Sequence, residues 1–121
     1  MKKTMVLGAT PNPARYAYLA AQMLVENKIE IVPVGIKSGT VAGEKILDLK
    51  TQPLIADIHT ITLYIGPGNQ PQWYDYILTI NPQRVIFNPG TENPVLESMV
   101  SDQGVEVLKA CTLVMLSVGN Y

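Results

Sequence analysis

Two hydrophobic periodicities alternate along this chain, and that alternation limits the folds open to it more than any other feature. Residues 4–7, 29–34, 60–65, 84–87 and 105–108 are short, largely apolar and β-branched runs, the pattern of strands buried on both faces. Between the first two, Tyr16, Leu19, Ala20, Met23 and Leu24 recur at the spacing of a helix packed on one side. Asn12 is a good N-cap residue and Pro13 suits a first helical position, so this helix is expected to start there. A second helix is expected over residues 69–80, ended by Asn81-Pro82, and a third from Asn93-Pro94 to Asp102, stopped by Gly104. Residues 35–57 are less regular, with residues 46–49 too short to assign, and a brief final helix or strand falls around residues 113–116.

Strands alternating with helices predict an α/β fold: a Rossmann-like three-layer sandwich around a five-stranded parallel sheet, in the order 3-2-1-4-5. No repeat, low-complexity tract or linker interrupts the 121 residues, which read as one domain. In the predicted order the first and fourth strands are neighbours. A ligand crevice should then open beyond their carboxyl ends, between residues 8–13 and residues 88–91.

The first of these loops follows a buried strand and opens a helix. Gly8 permits a sharp turn, and free amides at a helix start offer donors and partial positive charge to phosphate. Gly8 is the only glycine of the turn, so the three-glycine dinucleotide fingerprint is absent. After the second strand, NAD-binding domains usually carry an acidic residue for the ribose hydroxyls. Here Val34 leads instead into Gly35, Ile36 and Lys37, a cation where a ribose-linked phosphate would lie, which favours coenzyme A or NADP. Arg15 stands close enough to reach a phosphate at the helix start. Ile65, Gly66, Pro67 and Gly68 after the third strand let backbone approach a ligand, or form a plain turn. The same two readings hold for Asn88, Pro89, Gly90 and Thr91 after the fourth.

Other chemistry is thinly represented. A net charge of −1 with nine scattered Lys and Arg gives no drive toward nucleic acid or an anionic membrane. No run approaches the roughly 20 apolar residues of a membrane span, so a cytoplasmic location is expected. One cysteine and one histidine leave no zinc-site pattern. His59 has no Ser or Cys beside it and reads as a strand-edge residue; Cys111 reads as a buried thiol. No catalytic residue is expected. Charged residues make up only 16% of the chain, below the roughly 25% of an average domain, which favours self-association, a dimer being the simplest form. Trp73, Tyr74 and Tyr76 share a helix, where aromatic residues are usually core or interface, the latter fitting the low charge, and one of them is a candidate to cap the ligand pocket.

Taken together, Gly8, Ala9, Thr10, Pro11, Asn12, Pro13, Ala14 and Arg15, the stretch from Val32 to Lys37 with Gly43, and Ile65-Gly66-Pro67 form a familiar series. With residues 87–91, residues 104–107 and Cys111, it resembles the small stand-alone CoA-binding domain proteins. These are relatives of the N-terminal domain of the succinyl-CoA synthetase alpha subunit. The sequence departs from that pattern at Gly35-Ile36, at Gly66-Pro67-Gly68 and at Asn88-Pro89-Gly90. The resemblance implies coenzyme A or an acyl-CoA held across the first three strand ends, as a binding module without chemistry of its own. An NADP-dependent oxidoreductase, or a fragment of one, and a scaffold acting through a dimer surface are the alternatives.

Overall fold

The computed structural model describes residues 2–121. Its elements are β1 (Thr4–Leu7), α1 (Tyr16–Glu26), β2 (Ile31–Gly35), β3 (Thr40–Val41), β4 (Glu44–Lys45), β5 (Leu47–Asp48), β6 (Thr60–Leu63), α2 (Tyr74–Ile80), β7 (Arg84–Phe87), α3 (Pro94–Asp102), β8 (Glu106–Lys109) and α4 (Thr112–Val118). Six strands pair side by side in the order β5-β2-β1-β6-β7-β8, every pairing parallel. The α/β class is as expected, with one strand more than the five predicted. β3 and β4 form a separate hairpin whose turn residues Ala42 and Gly43 both have positive φ, the geometry that suits the twist of a two-residue turn.

The extra strand changes which loops face each other. Counted within the large sheet, the order runs 3-2-1-4-5-6, but its third member is the two-residue β5, not residues 60–65. Leu47 and Asp48 pair with Val34 and Gly35 and occupy the outer position. β6 therefore lies directly beside β1, and the order in which the chain adds strands reverses between these two parallel neighbours. The loop after β6, rather than residues 88–91, stands across the switch point from the loop after β1.

Alternation along the strands divides the core in two. Met5, Leu7, Ile61, Leu63, Val85 and Phe87 meet Tyr76, Ile77 and Ile80 of α2 and Leu96 and Val100 of α3. On the opposite face Val6 meets Ala17, Ala21 and Leu24 of α1 and Leu116 of α4. Small residues along α1 allow that helix to lie close to the sheet. Two predicted helix starts are displaced. α1 begins at Tyr16, because the Asn12 side chain accepts from the Ala14 amide and closes a turn of its own. The expected helix over residues 69–80 begins as two single 3₁₀ turns, each opened by a proline, Pro67 and Pro71, before α2 starts at Tyr74. Among the described residues no helix is long and apolar enough to cross a membrane.

At the amino end of the strands, Thr4, Thr60, Arg84 and Glu106 form one row across the sheet. Arg84 is 5% exposed, donates from Nε to Thr60 Oγ1 at 2.9 Å, and stacks on the Tyr121 ring at 4.5 Å from its centroid. Beside it, burial and then the positive charges of Arg84 and Lys2 hold the His59 imidazole below its ordinary 6.5, against a small opposing effect of Glu106. The unfolded chain therefore takes up this proton at a higher pH than the folded one. Stability should fall as pH drops through 6.5 and level off only once folded His59 is also protonated. Melting temperatures at about pH 7.5 and about pH 5.5 check this, the loss being smaller in a His59→Gln variant.

Candidate functional site

The carboxyl ends of β1, β2 and β6 open into a crevice of about 600 Å³, within the range of small-molecule sites. Its floor is the turn after β1. The amides of Gly8 and Ala9 are not free to meet a ligand: both donate to Val34 O, at 2.9 and 3.0 Å. They tie the turn to β2 instead. Gly8 has φ +99°, and a Cβ there would stand 2.9 Å from the Tyr64 carbonyl carbon and oxygen, so the turn passes hard against the end of β6. A Cβ on Gly35 would come within 2.2 Å of Ala9 O. Glycine at both positions is what allows three strand ends to converge.

The turn then rises to α1. Thr10 Oγ1 accepts from Asn12 N at 3.2 Å, and Arg15 N donates to Asn12 O at 3.1 Å. Arg15 is the extended N-cap of α1 and provides no side-chain cap. The next two amides, of Tyr16 and Ala17, have no protein acceptor among the described residues, and both residues line the crevice. These amides, not those of Gly8 and Ala9, are the free donors at the positive end of the helix.

Arg15 and Lys37 are the charged side chains lining the crevice, and no carboxylate lines it among the described residues. Ile36, Leu49, Ile65 and the 8% exposed Trp73 supply apolar wall, with Asn69 and Gln72 as polar groups at its edge. Gly66 and Gly68 have open space where a Cβ would project, so backbone there is approachable. Burial raises the Tyr64 phenol to about 12, against a lowering effect of the nearby Thr62 and Thr112 hydroxyls, and its buried hydroxyl reaches no partner at hydrogen-bond geometry among the described residues. No group of three His, Cys, Asp or Glu is placed to hold a metal among the described residues.

Of the sequence candidates, Gly8, Ala9, Thr10, Arg15, Lys37, Ile65 and Gly66 line this crevice. Pro11, Asn12, Val34 and Pro67 do not line it: Asn12 organises the turn, Val34 anchors it, and Pro67 opens a 3₁₀ turn. Asn88, Pro89, Gly90 and Thr91 lie outside it, a correction to the expected facing loop. Asn88 is buried, its Nδ2 donating to Thr62 Oγ1 and Leu63 O, its Oδ1 accepting from Thr112 N. Thr91 donates from Oγ1 to Asn88 O, and its own carbonyl accepts from Gln70 Nε2. This loop braces α4 and the loop after β6. Tyr16, Leu49, Asn69 and Gln72 are lining residues that the sequence pattern does not single out, whereas Trp73 stood among the aromatic candidates.

A comparison of the sequence with known families matches it over residues 2–117 to the family described as CoA binding domain. The chain belongs to that family. It is also similar to a crystal structure of an uncharacterized protein, with 53% identity and a TM-score of 0.96 over 100% of this chain and 98% of the other. A protein from Thermus thermophilus shares 22% identity, with a TM-score of 0.85 over 99% of this chain and 90% of that one. A conserved hypothetical protein from Pyrococcus furiosus shares 23% identity, with a TM-score of 0.80 over 94% and 98%. The latter two likenesses concern the fold alone. No curated protein matches the chain.

Proposed function

We propose that the crevice binds coenzyme A or an acyl-CoA, as a binding module. The observation that carries this reading is the donor set: two free amides at the start of α1, with Arg15 and Lys37 as the charged side chains and, among the described residues, no lining carboxylate to oppose an anion. That set suits phosphate groups. Membership of the CoA binding domain family supports the same ligand class. In this reading the Tyr16 and Ala17 amides and Arg15 hold the pyrophosphate. Lys37, at the end of β2, meets the ribose phosphate, and the apolar wall of Ile36, Leu49 and Trp73 takes the adenine or the pantetheine arm.

Calorimetric titration with CoA and 3′-dephospho-CoA tests it. CoA should bind roughly tenfold more tightly, the effect of one charge-assisted contact. Lys37→Ala should bring its affinity down to that of the dephospho form. Equal affinity for the two ligands removes the role of Lys37, and no binding of either overturns the proposal. NADP, NAD and ATP in a thermal shift series provide the comparison, since a ligand of the folded state raises the melting temperature.

A further inference from the structure

The row at the amino end of the strands carries a feature that neither the crevice nor the fold requires. Arg84 is buried, yet among the described residues it forms no ion pair. Lys3 takes Glu30 at 3.9 Å and Lys109 takes Glu97 at 3.8 Å, while Glu106, next to Arg84 in the row, is exposed and makes no such contact. Arg84 Nε is satisfied by Thr60 Oγ1, but Nη2 is buried with no hydrogen-bond partner among the described residues. A buried cation is ordinarily matched by a carboxylate or a set of acceptors. Here it has one hydroxyl and the face of the Tyr121 ring.

The surroundings add positive charge. Lys2 Nζ bonds the Tyr121 carbonyl and lies 5.8 Å from the centroid of its ring. His59 shares Thr60 Oγ1 with Arg84, from Nδ1 at 2.7 Å. Tyr121 is held at its far end by Thr4 Oγ1 and borders a hollow of about 290 Å³ lined also by Lys2, Asn27 and Ile29. That hollow is several times the roughly 30 Å³ share of a water molecule, and although Arg84 does not line it, it has room for the Tyr121 ring once displaced from the guanidinium.

We propose that this end of the sheet is a second binding site, for a small oxyanion, in which the Arg84 guanidinium is the anchor and Tyr121 the cover that the oxyanion displaces. A carboxylate or phosphoryl group would accept from both Nη atoms, the pairing for which a guanidinium is shaped. Lys2 contributes further charge at the mouth. The site lies beyond the amino ends of the strands, so it is separate from the crevice and does not rest on what the crevice binds.

His59 is the only histidine of the chain, which makes its ring protons a local reporter. Among the described residues the charges facing it are Arg84 on β7, Lys2 before β1 and Glu106 on β8. An oxyanion between them would offset Arg84 and Lys2 and raise the pH at which His59 titrates. The experiment follows the His59 resonances by proton NMR during titration with sodium phosphate and, separately, sodium acetate, at constant ionic strength. The expected result is a saturable change and an upward move of the titration midpoint. The phosphate and acetate arms show whether a phosphoryl or a carboxylate group is preferred.

Arg84→Met should abolish the response. Tyr121→Leu should strengthen binding by roughly tenfold, because no ring competes for the guanidinium. The Tyr121→Leu comparison stands by itself if the Arg84 variant fails to fold. No saturation by either probe, a response retained in Arg84→Met, or unchanged or weaker binding in Tyr121→Leu would each overturn the proposal.

Discussion

A Gly35→Ala protein is expected to lose about 4 kcal/mol of folding stability, a large part of the margin of a domain this size. The added Cβ would stand 2.2 Å from Ala9 O, well inside contact distance. Neither partner can step aside cheaply. Ala9 is fixed by the hydrogen bond its amide donates to Val34 O, and Gly35 is the last residue of β2, paired with Asp48 of the outermost strand. Relief would require opening the end of the β1-β2 ladder and the floor of the crevice with it. Gly66→Ala is the matched control, since a Cβ there meets nothing within 4 Å and its φ of −63° suits any residue. Its effect should stay within about 0.5 kcal/mol. Urea denaturation of both variants decides the matter; a Gly35→Ala protein within about 1 kcal/mol of the parent would refute the argument.

The second large effect is expected at Gln70, which is fully buried under the crevice wall. Its Nε2 donates to Ile65 O and Thr91 O, each at 2.8 Å, and its Oε1 accepts from Asn93 Nδ2 at 2.8 Å. One side chain thus joins the loop after β6 to the loop after β7. Gln70→Leu has comparable bulk but leaves the buried Thr91 carbonyl and the part-buried Ile65 carbonyl without their donor, while Asn93 keeps its bond to Tyr74 Oη at 2.7 Å. The cost should be about 2–4 kcal/mol, set by the orphaned carbonyls rather than by the bonds themselves. Because Ile65 lines the crevice, amide exchange of residues 65–69 should also quicken more than that of β6. A loss below about 1 kcal/mol, or uniform exchange across both segments, would show that the network is not what holds the wall.

How far the sequence foretold this follows from the kind of signal each element carries. Four-residue runs such as Thr4–Leu7 and Arg84–Phe87 are buried throughout, so their composition betrays them. Leu47–Asp48 does not: two residues, one exposed, pair with β2 through backbone alone, and backbone pairing leaves no mark in composition. Missing that strand moved β6 in the expected order and placed residues 88–91 across the crevice. Asn88 and Thr91 are polar residues in a turn, the usual sign of a site, but burial and partner count are invisible in sequence, and both prove to be braces. Asn12 carried a true capping signal, used one turn early. Lys37 and Arg15 were placed at the crevice by position alone, one beyond a strand end and one at a helix start, and both do line it.

The free donors at the start of α1 belong to the main chain, and this governs how such a site can change over generations. No substitution deletes the amide of Tyr16 or Ala17 except one to proline, so drift in the surrounding side chains leaves those groups in place as long as the turn holds its shape. An alanine scan of the crevice would for the same reason under-report its polar end. What selection is free to alter is Lys37, Ile36 and Trp73 around those amides, so if the crevice holds an anion as proposed, change at these side chains should adjust which anion is preferred sooner than it abolishes the binding.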